Sequence, residues 1–285
     1  MRHGLKDGHT VTLVYVDITE AMQQAAATKV FRDEKLSMQE LHAWHSIHVL
    51  TKLQRLDLNV ALPAALEVIE FSNYFNQSLQ GVSFPSGLRS LEFGGRFNQT
   101  MQKVALPGGL ERLRFGYSFD QSLEEVEWPE GLQELFFEGR FNQPLEGVSL
   151  PDGLRQLKLS WWFNQSMQNV DLPSRLERLI FGESFNQSMQ GVKLPSGLRD
   201  LIFGEFFDQS MQDVALPDSL WSLEFGTHFN RSMQNVALPS RLRFIYFSPF
   251  FRFCQNMEHV VLPEHCKIRL HDCVLDVASY DQFFD

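Results

Sequence analysis

Histidine and cysteine are the residues of this chain best suited to chemistry, and they crowd its C-terminal end: Cys254, His259, His265, Cys266, His271 and Cys273. A structural zinc site needs a close Cys pair, usually Cys-x₂₋₄-Cys. Cys266 and Cys273 are seven apart and Cys254 is farther still, so ordinary packed thiols are the better account. A second group, His42, His45 and His48, sits at i, i+3 spacing, where a helix would put neighbours on one face. The sequence gives these histidines no carboxylate or thiol partner, so a solvated or half-buried helix face is expected. Serine is abundant, but at regular intervals, so a Ser-His-Asp set would arise by accident. No phosphate-cradling glycine loop and no His-Glu-x-x-His is found. The reading is a chain that is not an enzyme and needs no cofactor or metal.

What positions side chains here is a repeat. Phenylalanine recurs every 22 residues at Phe75, Phe97, Phe119, Phe141, Phe163, Phe185, Phe207, Phe229 and Phe251. Proline keeps the same interval from Pro63 to Pro239. A fixed period of this length is the mark of a solenoid, in which each turn contacts only its neighbours. The turn from Pro85 to Leu106 nests two apolar patterns, Leu88-x-x-Leu91-x-Phe93 and Met101-x-x-Val104-x-Leu106. Each ends in alternation, which predicts a short half-buried strand. The expected fold is mainly β: a right-handed solenoid with two short parallel strands per 22-residue turn. Proline then marks one corner, followed by turn pairs such as Ser86-Gly87 and Asp152-Gly153.

The residue after the repeated Phe is Asn76, Asn98, Asp120, Asn142, Asn164, Asn186, Asp208 and Asn230, then Arg252. An ionised Asp only accepts hydrogen bonds. The shared task is therefore to accept from backbone N–H groups in the bend. An asparagine ladder that also donated to the next turn would be broken locally at each Asp.

Leu-x-x-Leu-x-Leu/Phe in every turn resembles the leucine-rich-repeat strand. The fuller pattern, Leu-Pro-x-x-Leu-x-x-Leu-x-Phe-Gly-x-x-Phe-Asn-Gln-x-Met/Leu, resembles the FNIP repeat, over about Leu53 to Pro263. The tripeptide is followed mainly by Ser, as in Phe185-Asn186-Gln187-Ser188, and once by Pro, at Pro144. The resemblance implies a protein-interaction role and no shared activity.

Three regions follow: a cap over 1–52, a solenoid of about nine turns over 53–263, and a second cap over 264–285. Ser37-Met-Gln-Glu40 is a capping box, which predicts a helix from Ser37 to about Val49. A second helix is expected near Ile18–Phe31. Residues 1–16 read as a turn and a cap strand, with a weaker likeness to the closing strand of a ubiquitin-like domain. Ile268-x-Leu270 is expected to start a strand.

The net charge is −10, the wrong sign for phosphate backbones or anionic lipid, so neither nucleic acid nor membrane is an expected partner. Three cysteines, no apolar leader and no long apolar run predict a cytoplasmic protein with free thiols. The expected partner is another protein, bound on the outward face of the first-strand sheet. The repeat leaves those outward positions undetermined, and they turn apolar in the later turns. The candidate contact residues are Phe136, Lys158, Trp161, Trp162, Ile180, Ile202, Phe206 and Tyr246. Packing of the aromatic groups over the bends, or their cover by the C-terminal cap, is the competing account of them. A structural, self-assembling rod is the competing function.

Overall fold

Each turn alternates Leu, outward residue, Phe, and that alternation builds one strand. The computed structural model describes residues 48–53, 62–247, 257 and 260–270. Its strands are β1 Val49–Leu53, β2 Val68–Phe71, β3 Ser90–Glu92, β4 Arg112–Phe115, β5 Glu134–Phe137 and β6 Gln156–Lys158. They continue as β7 Arg178–Ile180, β8 Asp200–Ile202, β9 Ser222–Glu224, β10 Phe244–Phe247 and β11 Lys267–Leu270. All lie in one parallel sheet in sequence order. From β2 to β10 each strand pairs in register with its neighbour, 22 residues on. No helix occurs among the described residues.

The second strand expected in each turn is not formed. Met101 and Val104 are buried, as the apolar pattern requires. Between them, however, the chain turns: Val104 N–H donates to the Met101 carbonyl at 3.2 Å, and Lys103 takes φ 59°. The same left-handed position recurs at Gly81, Glu125, Gly147, Asn169, Gly191, Asp213 and Asn235. A positive φ at the third residue of a tight turn is what a type II turn requires. It ends any extended run after one residue. The core is thus closed by the sheet on one side and a stack of turns on the other.

Phenylalanine fills the space between. Rings of the repeated Phe stack from turn to turn, 6.0 Å apart for Phe119 and Phe141 and 6.1 Å for Phe163 and Phe185. A second Phe from each strand end lies against the first, as Phe115 on Phe119 at 3.9 Å. The inner column is interrupted once, by Leu159, which is also fully buried.

At the bend, the asparagine column forms a ladder. Asn76 Oδ1 accepts the Asn98 backbone N–H at 2.9 Å and Gln99 Nε2 at 3.0 Å. The donors are the next turn's backbone and glutamine, not the asparagine amide. Asp120 therefore accepts in the same way, and Asp208 accepts the Asn230 N–H at 3.0 Å while Arg231 takes the glutamine's place at 2.8 Å, so neither Asp breaks the ladder.

The helix expected over 37–49 lies mostly outside the described residues, but its last residue does not fit it. Val49 is in β1 and pairs with Val68, because Leu50 is needed to cover Ile69. The helix near Ile18–Phe31 and the cap strand of residues 1–16 lie outside the described residues. The strand expected at Ile268 is β11, paired with β10.

Candidate interaction surface

Alternation along β2–β10 sends Leu and Phe inward and leaves two outward columns. Register places Arg114 beside Phe136, Phe136 beside Lys158, Lys158 beside Ile180 and Ile180 beside Ile202. Ile202 neighbours Glu224, and Glu224 neighbours Tyr246. Five of the eight candidates, Phe136, Lys158, Ile180, Ile202 and Tyr246, thus form most of one outward column. All five are half-buried.

The other three sit at the bends. Trp161 and Trp162 follow β6 and are 60% and 56% exposed; Phe206 follows β8 and is 45% exposed. Packing over the bend, the competing account of these residues, does not describe either tryptophan. Trp162 N–H donates to the Gly139 carbonyl at 3.0 Å, and the Trp161 carbonyl accepts from Ser184 at 2.9 Å. The backbone is thus held in the bend stack while both side chains project. Phe206 leans on His228, ring centroids 4.7 Å apart.

The two halves of the face differ electrostatically. In the earlier turns charges neutralise one another. Arg112 is 3.0 Å from Glu134, Arg114 is 3.0 Å from Glu138, and Lys158 reaches the same Glu138 carboxylate at 2.9 Å. Lys158 is therefore engaged by a carboxylate on its own side of the face. In the later turns apolar groups take more of the face, and acids and cations both remain beside them, Asp200 with Arg178 and Arg199 and Tyr246 with Arg269. Glu224 is only 5% exposed between Ile202 and Tyr246. Burial pushes the Asp200 carboxyl above its ordinary range, against the pull of Arg178 and Arg199. Burial also raises the Tyr246 phenol, with Arg269 opposing.

Sequence reasoning missed Trp221, which is 44% exposed beside β9 and lies under the Arg243 guanidinium at 5.7 Å. Its column otherwise holds Glu67, Arg89, Glu111, Gln133, Arg155, Glu177 and Arg199. A lone aromatic in a charged column was the available signal. Of the histidines and cysteines, His42, His45, Cys254, His259, His271 and Cys273 lie outside the described residues. His48 precedes β1 and has the carboxylate partner the sequence did not suggest, Glu67 at 3.2 Å. Cys266 is a half-buried free thiol whose pKa burial raises. No group of three metal-ligating side chains occurs among the described residues, and no helix there is long and apolar enough to cross a membrane.

The 22-residue frame decides the family. The FNIP Repeat profile matches six times in tandem, at residues 58–96, 75–118, 97–138, 119–161, 163–206 and 207–250. The chain belongs to the FNIP repeat family. Its FNIP turns are similar to those of CroV588, a novel circular LRR protein known from a crystal structure, at 36% identity and a TM-score of 0.66. That similarity covers 73% of this chain and 30% of CroV588, so the chain spans under a third of that protein's length. A leucine-rich repeat protein from Bacteroides ovatus matches at 18% identity and a TM-score of 0.25, over 65% of this chain and 50% of its own. The pneumococcal vaccine antigen PcpA matches at 13% and 0.23, over 79% of this chain and 67% of its own. No curated protein matches the sequence.

Proposed function

We propose that this FNIP solenoid is a non-enzymatic scaffold that binds a protein partner on the outward face of β6–β10. The observation that carries the reading is the exposure of Trp161, Trp162 and Phe206 around the register-paired Ile180 and Ile202. Exposed aromatic and aliphatic groups gathered on one rigid face are what association buries. The frame beneath is continuous in hydrogen bonds and Phe packing, so little ordering entropy would be lost on docking. The net charge of −10 favours a protein over nucleic acid or anionic lipid as that partner. The reading extends to a cytoplasmic setting, supported by the free thiol of Cys266.

The test is a variant carrying Trp162→Ala, Ile202→Glu and Tyr246→Ala, compared with wild type in affinity capture from native extract. Circular dichroism and thermal unfolding establish that it stays folded. Loss of the partners recovered by wild type is the expected result. Recovery of the same partners at the same yield would refute the surface assignment. Mass rising with concentration in sedimentation, with no specific partner recovered, would favour the self-assembling rod instead.

A further inference from the structure

Exposed aromatic groups stand along one edge of the sheet at every second turn. Of the six Phe, Tyr and Trp side chains exposed among the described residues, five are at the bends that follow the strands. Tyr74 follows β2, Tyr117 follows β4, Trp161 and Trp162 follow β6, and Phe206 follows β8. The bends between carry Gly95 and Arg96 after β3, Gly139 and Arg140 after β5, and Glu183 and Ser184 after β7. Tyr117 and Trp161 share one position of the repeat, and Tyr74, Trp162 and Phe206 share the next.

Backbone hydrogen bonds set the spacing of this row. Each bend donates an N–H to the bend before it, from Arg96 on the Asn73 carbonyl to Phe206 on the Glu183 carbonyl, both at 2.9 Å. Neighbouring bends are thus spaced as paired strands are, roughly 4.8 Å apart, which puts the aromatic bends about 9.6 Å apart. A polyproline II helix presents the same face every three residues, about 9.3 Å. Phe206 is six turns beyond Tyr74, or about 29 Å, and nine polyproline II residues cover about 28 Å. An extended strand repeats its face every ~6.7 Å, which falls between the bends. Seven residues of α-helix cover about 10.5 Å and drift by roughly 3 Å over the same span.

The side chains suit a polyproline II occupant. The Arg96 guanidinium lies over the Tyr74 ring at 4.8 Å and that of Arg140 over Tyr117 at 5.4 Å. These rings stay 69% and 48% exposed, so they are steadied without being covered. A polyproline II backbone makes no internal hydrogen bonds and leaves its carbonyls open to donors. Tyr hydroxyls and Trp indole N–H groups are such donors. Those of Tyr74, Tyr117, Trp161 and Trp162 have no hydrogen-bond partner among the described residues.

We infer, building on the protein-binding reading above, that the partner docks a proline-rich segment in the polyproline II conformation along this row of bends. A proline rests on each aromatic bend, in steps of three residues. Such a segment is ordered before it binds, so it loses little entropy on docking. Trp161 and Trp162 belong both to this row and to the face around Ile180 and Ile202, so the two surfaces are continuous.

The test pans the purified full chain against three peptide phage libraries in competition. One has proline fixed at every third position, one at every fourth, and one is fully random. Enriched sequences are synthesised and measured by fluorescence anisotropy, and circular dichroism establishes that the protein variants stay folded. The expected winners carry proline in steps of three. Tyr117→Ala/Trp161→Ala should weaken them on the order of tenfold. One alanine inserted between their middle prolines should weaken them comparably on the unaltered chain, a loss that misfolding cannot explain. Winners without the three-residue step, or unchanged by Tyr117→Ala/Trp161→Ala, would overturn the inference. If those winners are lost on an Ile180→Glu/Ile202→Glu variant, the protein-binding reading still stands. An absence of winners, or winners indifferent to both variants, would overturn both. Retention of the chain on an insoluble β-linked glucan, abolished by Tyr117→Ala/Trp161→Ala and with no proline peptide enriched, would give the row to a polysaccharide and overturn the inference too.

Discussion

Asp120 Oδ1 accepts the backbone N–H of Asn142 at 2.9 Å and Nε2 of Gln143 at 2.9 Å. One turn earlier Asn98 Oδ1 does the same for Asp120 N–H and Gln121 Nε2, both at 2.9 Å. The column therefore needs an acceptor oxygen and nothing more. Asn164 lies mid-ladder, accepting from Asn186 N–H and Gln187 Nε2. Asn164→Asp is expected to change stability by under about 0.5 kcal/mol. Asn164→Ala leaves the Asn186 N–H and the Gln187 amide without that acceptor, at a cost of about 1–3 kcal/mol. Urea unfolding, fitted with nearest-neighbour coupling as a solenoid requires, reads the difference. Equal losses for the two variants would mean that the asparagine amide matters too.

How far the sequence discloses this fold depends on which physical signal each position carries. Burial leaves a strong trace. Leu91, Phe93, Phe97, Met101 and Val104 all recur in type and all are in the core. The acceptor role of the asparagine column was also legible, because Asp replaces Asn there and no apolar residue does. Alternation misled at Met101-x-x-Val104-x-Leu106, where buried residues bracket a turn instead of lining a strand. The correcting signal was present in Gly81, Gly147, Asn169, Gly191 and Asn235, a column of residues that tolerate positive φ. Exposure of Trp161 and Trp162 had no such signal. It depends on which way a bend projects its side chains, and Leu-Ser-Trp-Trp-Phe is compatible with either direction.

That left-handed column gives a clean test of backbone strain. A Cβ placed on Gly147 would meet nothing within 4 Å, so space is not limiting, yet its φ is +77°. Gly147→Val should therefore destabilise by about 1–2 kcal/mol through backbone conformation alone. Glu125 already occupies the column with a full side chain, at φ 57°. Glu125→Asn should stabilise by about 0.5 kcal/mol, since Asn enters this region more easily. Denaturant midpoints for both variants are the measurement. A Gly147→Val protein as stable as wild type would show that the turn has another conformation open to it.

Gly182 is required for a different reason. Its φ is not among the positive values, but an added Cβ would lie 1.8 Å from the Ser160 carbonyl oxygen. The obstacle is backbone of the preceding turn, which cannot rotate aside like a side chain. Gly182→Ala should cost about 3 kcal/mol, at the upper end of overpacking penalties. The loss should be concentrated between the turns of β6 and β7. Hydrogen exchange should find the amides of Leu159 and Ser184 deprotected, since they donate to Ile180 and Trp161 across this junction. Uniform loss of protection along the whole chain would argue against a local clash.

Asp200 supplies the pH dependence. Its folded-state pKa is raised above 3.8, first by burial, with Glu224 and Glu177 adding to the rise and Arg178 and Arg199 opposing it. The folded chain therefore holds this proton to higher pH than the unfolded chain does. Stability contributed at this site falls as pH rises through the folded pKa, and the penalty is gone below the unfolded value. Asp200→Asn removes the titration and keeps an acceptor oxygen. The variant should match or exceed wild type in stability at neutral pH, with the advantage shrinking as pH falls toward about 4. Urea midpoints of the two proteins between pH 7 and the acid limit of folding provide the comparison. If wild type is instead the more stable at neutral pH, attraction to Arg178 and Arg199 has outweighed burial. Asp200 would then be a net-stabilising member of an ion pair.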